Sequence, residues 1–373
     1  MSDVAGLIFS DSYHNILDGL TERRALAAVP FGARYRIIDF VLSNMTNAGI
    51  VNIGIITTEN YYSLMKHVGS GAPWDLNRKN AGVMFLPPFS SEQVQPVYDN
   101  RLEAMQANIN YLENIDEEYV LINGNGHITN MDVEELIQFH KDHGADITGV
   151  YTRSPRNKKE DRDNLEFLIG ENQQLVDVKI TKGMIEGMGL GLNVYVMNRK
   201  ELLEILERTK REGKKSFRRD VLQAGLGKLK ICAYETKGPV LFVDDASGYL
   251  KSSLDLLDYD IREAMFHQVN RPIITQVKDS APTRYGKDAK AHNSLIADGV
   301  VVEGEVRNSI VFRGARIKKG AIVENSVVMQ DVTIGEGAHL NYCILDKYSI
   351  INDGRLLSGY ITHPFYVSHR TVI

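Results

Sequence analysis

The sequence predicts an α/β fold in two parts: an open, Rossmann-like sheet domain, then a left-handed parallel β-helix. Over about the first 150 residues, apolar runs of strand length alternate with helical periodicities. From about His292, aliphatic residues recur six apart with glycines between them, a spacing that neither a helix nor a hairpin produces. At 373 residues the chain also exceeds what one hydrophobic core usually organises. The expected division is 1–255 for the sheet domain, 256–291 for a linker and 292–373 for the β-helix.

In chain order, residues 4–9 are continuously apolar, as a strand buried on both faces must be. Pro30 and Gly32 punctuate a turn. Ile37, Ile38, Val41 and Leu42 then follow helical spacing toward Gly49, a left-handed terminator. A strand at 53–57, helices from about Tyr61 and over 103–112, a strand at 119–122, a helix at 131–143 and a strand at 146–151 continue the alternation. The expectation is a mostly parallel sheet with helices on both faces. Ligands in such sheets bind at the carboxyl ends of the strands, which marks the loops after Phe9, Thr57 and Ile122 as one rim.

The segment 255–280, helical and then broken by Arg271-Pro272, reads as the connector. In the β-helix, Ile296 and Val302, Ile317 and Val323, and Ile334 and Leu340 form six-residue pairs. Gly299, Gly304, Gly314, Gly320, Gly335 and Gly337 fall between them as corners. Each paired aliphatic is expected to point inward, with insertions near Arg307 and Met329.

Hydrophobic content of 43% and charged content of 24% place the chain among soluble globular proteins. A net charge of -5 supplies no basic stripe for a nucleic-acid backbone. Cys232 and Cys343 lie far apart in apolar, strand-like runs, as two buried thiols would. No apolar stretch approaches the ~20 residues that span a bilayer, and no secretory pattern opens the chain. The expected compartment is the cytoplasm.

The run Val29-Pro30-Phe31-Gly32-Ala33-Arg34-Tyr35-Arg36-Ile37-Ile38-Asp39-Phe40, continuing to Asn44, resembles the signature of the bacterial ADP-glucose pyrophosphorylases (glucose-1-phosphate adenylyltransferases). That family carries P-F-G-x-(K/R)-(Y/F)-R-I-I-D-F-x-L-S-N behind a glycine-rich phosphate loop, and it too ends in hexapeptide repeats. The resemblance implies a nucleotidyltransferase domain of GT-A type. It also implies transfer of an adenylyl group from ATP to glucose-1-phosphate, with Mg²⁺ held by aspartates.

This chain departs from the family where the chemistry lies. The family loop L-A-G-G-x-G-(T/S)-R-L, counted from Pro30, falls on 9–17. Its glycines land on Asp11, Ser12 and His14, its arginine on Ile16, and the lysine of A-K-P-A on Leu26. A side chain blocks the close approach that glycine allows. At ~4 Å a carboxylate repels each phosphate charge by about 1 kcal/mol in water and about 4 at a partly shielded surface. A lost transition-state cation costs roughly 10³–10⁵ in rate. One metal-binding aspartate, in S-G-D-H-(I/V)-Y-K-M-D, becomes Gly126. The second becomes Phe242, with Asp244 or Asp245 a short slip away. The sugar-phosphate motifs E-K-P and S-M-G fall near Ile180-Thr181-Lys182 and Gly191-Leu192-Asn193.

The joint pattern resembles the GlgD-type subunit, which partners a catalytic paralogue. What the resemblance implies is a modulatory subunit without catalytic residues, metal or cofactor of its own, working in a heterotetramer. The alternatives are an active nucleotidyltransferase with a rebuilt loop, resting on Asp244, Asp245 and Lys182, or a phosphate- or nucleotide-binding sensor. Arg34, Arg36 and Lys182 are the candidate contacts for a phosphate, nucleotide or sugar-phosphate effector; the plainer reading of the two arginines is a solvated or salt-bridged pair. Trp74, followed by Asp75 in a loop of family type, is a candidate interface anchor, or else packs on its own domain. The basic run Arg211, Lys214, Lys215, Arg218 and Arg219 reads as a solvated face. Nothing beside His292 and His339 suggests an acyltransferase.

Overall fold

The computed structural model describes residues 3–11, 17, 19–88, 98, 100–154 and 163–373. Its first part is built on nine strands: β1 (Val4–Phe9), β2 (Asn52–Ile56), β3 (Gly82–Leu86), β4 (Tyr119–Asn123), β5 (Ile147–Thr152), β6 (Asp163–Ile169), β7 (Leu175–Lys182), β8 (Gly189–Asn198) and β9 (Ile231–Glu235). The order is β7-β6-β8-β4-β1-β2-β3, with β5 between β8 and β9. β4, β1, β2 and β3 are parallel. β8 runs antiparallel to β4, β5 and β6, so the sheet is mixed rather than mostly parallel. The cause is local: β6 and β7 form a hairpin, and the chain returns from it into β8.

Helix α1 (Ile37–Asn47) starts where the Asp39 carboxylate accepts the Arg36 N–H at 2.9 Å, and it ends before Gly49, whose φ is +73°. α2 is Tyr62–Val68. The helix expected over 103–112 is two helices, α3 (Arg101–Ala107) and α4 (Ile109–Glu113). It breaks at Asn108, whose side-chain amide donates to the Ala104 carbonyl at 2.8 Å, a local bond that competes with the helix ladder. α5 (Val133–His143), α6 (Arg199–Arg211), α7 (Ala246–Asp255) and α8 (Tyr259–Phe266) follow. Alternate residues of β1 serve different cores: Leu7 and Phe9 pack with Leu102, Met105 and Tyr195, while Ile8 packs with Ile38, Ile53 and Leu136. That double burial explains the unbroken apolar run.

The second part is a prism of three five-stranded parallel sheets, the arrangement of a left-handed β-helix. Val302 pairs with Ile317, Ile317 with Ile334, and Ile334 with Ile351. Val302, Ile317, Val323, Ile334 and Leu340 are buried inside it, with Ile296 packed against them. The irregularity near Arg307 is a tightened corner, not an insertion. Asn308 and Asn325 turn it with φ of 44° and 49°, and the serines after them form an internal ladder. Ser309 N–H donates to Ser294 Oγ at 3.1 Å, Ser326 N–H to Ser309 Oγ at 3.1 Å, and Cys343 N–H to Ser326 Oγ at 2.9 Å.

The coil begins at Arg284, whose strand pairs with Val301 and Val302, inside the stretch expected as linker. The rest of that stretch is ordered too. Thr275 donates to the Asp39 carboxylate at 2.5 Å, and Ile274 N–H to Ser43 Oγ at 2.8 Å. The two parts share a core. Val311, Val328 and Leu345 fill the coil, while their neighbours Ile310, Val327 and Ile344 are buried against Leu26, Phe31 and Phe40 of the sheet domain. Both cysteines are free and buried. Among the described residues no helix is long and apolar enough to cross a membrane.

Candidate functional site

The carboxyl ends of β1, β2 and β4 carry Ser10 and Asp11, Thr57 and Thr58, and the turn 124–126 to one rim. Asp11 dominates it. Its carboxylate accepts the Leu26 N–H at 2.7 Å, the Thr58 hydroxyl, and the Ser10 hydroxyl at 3.2 Å. Where the resembling enzymes have a glycine-rich loop, this chain has an internal anion already using a backbone donor. Leu26, at the lysine position, lies in the turn Leu26–Ala28 with its side chain buried in the core between the two parts. Ser12, His14 and Ile16 lie outside the described residues.

The two positions expected to have lost metal-binding aspartates lie side by side. The short strand His127–Ile128 pairs antiparallel with Leu241–Phe242, and Val243 N–H donates to the Gly126 carbonyl at 3.3 Å. Gly126 offers no side chain, and Phe242 packs its ring on the α1–α5 core. Asp245 caps α7, accepting the Gly248 N–H at 2.7 Å, and Asp244 beside it is buried. Among the described residues no three His, Cys, Asp or Glu side chains gather as cation ligands. The two aspartate positions that the resemblance implies for Mg²⁺ are thus a glycine and a phenylalanine, and the nearest carboxylates in sequence to Phe242 are Asp244 and Asp245.

Arg101 escaped the sequence reading because it lies in none of the motifs compared. Its guanidinium lies 5.5 Å from the centre of the Phe9 ring, and a Cβ on Gly124 would come within 2.3 Å of Nη2. On the antiparallel half, Lys182 is exposed at the end of β7. The neighbouring Thr181 hydroxyl and the Ile185 N–H (2.8 Å) instead hold the buried carboxylate of Glu166. Asn193, with φ of 55°, accepts from Arg218 Nε at 3.1 Å, so Arg218 belongs to this wall rather than to a purely solvated face.

A second cluster of charge lies between the two parts of the chain. Arg34 is exposed beside the Tyr35 ring. Arg36 turns inward, and its guanidinium donates to the Ser63 carbonyl and hydroxyl at 2.8 and 2.9 Å. Burial holds its pKa down to about 10 despite Asp39. Lys347, on the last β-helix corner, is pushed down to about 6, first by burial and then by Arg36 and Arg24, with Asp346 opposing. Lys278, in the connector, is lowered by burial and then by Arg36 and Arg313. Neither lysine forms an ion pair with a carboxylate among the described residues. The sequence signal for Lys347 was a cation following Leu345-Asp346 at a coil corner.

Of the two readings of Trp74, the structure supports the one in which its loop packs on its own domain: the side chain is 2% exposed and lies edge-on against the His67 ring. Asp75 is exposed, with φ of 55°, and pairs with Arg78.

Residues 15–161 match the family described as Nucleotidyl transferase, and 279–359 the one described as GlmU-like, C-terminal hexapeptide. The chain is 33% identical over 336 residues to the glucose-1-phosphate adenylyltransferase of Clostridium botulinum (strain Alaska E43 / Type E3), covering 87% of this chain and 84% of that one. It is 33% identical over 354 residues to the one of Bacillus mycoides (strain KBAB4), with 91% of each covered. It is 35% identical over 322 residues to the glycogen biosynthesis protein GlgD of Geobacillus stearothermophilus, covering 85% of this chain and 82% of that one. With both parts of the fold matched along most of their length, the chain belongs to the glucose-1-phosphate adenylyltransferase family.

Proposed function

We propose that this chain is a non-catalytic, modulatory subunit of ADP-glucose pyrophosphorylase in glycogen biosynthesis, binding a catalytic paralogue in a heterotetramer and raising its activity. Overall identity does not separate the two kinds of relative, since both lie near one third. What supports the reading is Asp11 at the rim, whose carboxylate takes the Leu26 N–H and the Thr58 hydroxyl. A triphosphate brought there would meet a fixed negative charge, no loop cation from Leu26, and no metal ligand at Gly126 or Phe242.

The mechanism is population shift. A partner that binds the active conformer of the paralogue better stabilises it by that difference in affinity. With Trp74 buried, the surface that suits a partner is the open end of the β-helix. There Leu356 and Tyr360 are 77% and 75% exposed, beside the edges of the last strands, Leu356–Ser358 and Phe365–Val367. Exposed apolar area around unpaired strand edges marks an interaction site. Arg36, Lys278 and Lys347 are the groups that would hold a phosphate-bearing effector. The test is ADP-glucose synthesis by the paralogue titrated with this chain. The rate should rise and saturate at a fixed ratio, and Leu356→Glu should remove the effect. Turnover by the chain alone would favour the rebuilt-loop enzyme instead.

A further inference from the structure

A recess of about 650 Å³ opens between α4 and the loop that leads into β3, a volume within the ~300–1,000 Å³ of small-molecule sites. Among the described residues it shares none with the rim around Asp11. Its floor is apolar and buried, built by Leu86, Tyr111 and Ile115. The floor is also fixed in place, since a Cβ at Gly54 would come within 2.8 Å of the Tyr111 ring. Five of the fourteen lining residues are asparagines, and Lys79 is the only charged one. Two of the asparagines are spent on the fold. Asn52 accepts the Tyr111 hydroxyl at 3.1 Å and donates to Glu117 at 3.2 Å, and Asn108 donates to the Ala104 carbonyl at 2.8 Å. The outer three are not. Asn80 and Asn110 are exposed, and among the described residues their side chains have no hydrogen-bond partner. Asn114, one turn beyond Asn110, donates to the Asn110 carbonyl at 2.7 Å, which leaves its amide oxygen open.

We propose that this recess binds a neutral sugar, one hexose ring seated on the apolar floor with its hydroxyls on the outer amides. An apolar pocket with a few convergent polar groups is the usual form of a small-ligand site, and here the polar groups name the ligand class. A pyranose ring carries C–H groups on its faces and hydroxyls around its edge. Each hydroxyl both donates and accepts, and so does a side-chain amide. Charge excludes the other classes. Lys79 alone does not balance a phosphate dianion, and among the described residues no carboxylate lines the recess to hold a cation. The three outer amides come from two elements, α4 with its C-terminal end and the loop before β3. They therefore reach the floor from two sides, which matches hydroxyls spread around a ring rather than the single polar edge of a planar base. The shared chemistry is the hexose ring, free or at the end of a glucan chain. The site does not depend on the modulatory reading, and its test needs no paralogue.

The test is saturation-transfer NMR on the purified full chain, with glucose and maltotriose as probes and a Kd measured for each variant. Wild type should bind maltotriose. Equal affinity for glucose means that a single ring is held, and tighter maltotriose that a chain end is; either result supports the site. Asn110→Ala should weaken binding by about two- to tenfold, the worth of one neutral hydrogen bond. Ala107→Trp, at an exposed lining position, should fill the recess and abolish binding. Unchanged thermal melts show that the variants fold, and Asn110→Ala alone decides the matter if Ala107→Trp does not. A wild type that binds neither probe overturns the proposal, as does binding that every folded variant retains, because the sugar then sits elsewhere. Displacement of maltotriose by sulfate or by adenosine also overturns it, in favour of an anion or a base.

Discussion

Arg24 and Asp346, 322 positions apart in the chain, are joined by two hydrogen bonds of 2.9 and 2.7 Å between side chains 6% and 1% exposed. The same carboxylate accepts the Tyr366 hydroxyl at 3.0 Å and the Lys347 N–H at 2.7 Å. With the shared apolar core, this clamp fastens the β-helix to the nucleotidyltransferase domain. Arg24→Ala strands a buried carboxylate, so it should lower the unfolding free energy by about 3–5 kcal/mol. Arg24→Met combined with Asp346→Leu should cost much less, because no charge is left unpaired. Denaturant unfolding of both variants checks this; equal losses would mean the pair is not coupled.

Inside the coil, Ile317 is 1% exposed and stacked between Val302 and Ile334. Ile317→Ala should destabilise the chain by roughly 2–5 kcal/mol through lost burial and the cavity left behind. An unchanged thermal melt would contradict the inward register.

If the cluster of Arg36, Lys278 and Lys347 binds an anion as proposed, Lys347 makes that binding pH-dependent. An amine pushed down to about 6 is mostly neutral above that pH, and a bound dianion raises its pKa. Binding therefore takes up a proton, and affinity should strengthen as pH falls from the raised value toward about 6, then level off. In the unliganded protein the unfolded chain holds that proton up to about 10.5, so this group makes stability rise with pH between the two values. Sulfate is the suitable probe, since it does not titrate in this range. Calorimetry in two buffers of different ionisation heat should show proton uptake in wild type and none in Lys347→Met. Identical heats in both buffers for wild type would remove Lys347 from the site.

At the rim, Asp11→Ala leaves the Leu26 N–H without its acceptor. The expected cost is about 1–3 kcal/mol of stability, with no gain of ADP-glucose synthesis, because Leu26, Gly126 and Phe242 also stand where the resembling enzymes have a lysine and two aspartates and such groups act as a unit. Activation of the paralogue should survive. Loss of activation while the complex still forms would make the pocket a working site.

Periodicity made much of this fold legible. The inward aliphatics of the coil and the strands β1, β2, β4 and β5 follow from spacing, whereas β3 was not read. What spacing does not encode is strand direction, so the antiparallel course of β8 was not visible. Nor does it encode side-chain competition, so Asn108 splitting one helix into two was missed. Residue type did not say whether Trp74 faces outward; its contact with His67 decides that. Asp11 was legible as an unwelcome charge, but its partner, the Leu26 N–H, is set by the fold. Lys278 and Lys347 meet Arg36 only because the coil docks on the sheet domain.

The proposed role, modulation of a catalytic partner without performing the reaction, is tested by titrating the catalytic paralogue with this chain under ATP, Mg²⁺ and glucose-1-phosphate, with the chain alone as the end point. A modulatory subunit gives no synthesis alone and a rise in the paralogue's rate that saturates at a fixed stoichiometry. Sustained ADP-glucose synthesis by the chain alone, or a paralogue rate indifferent to its addition, would contradict it.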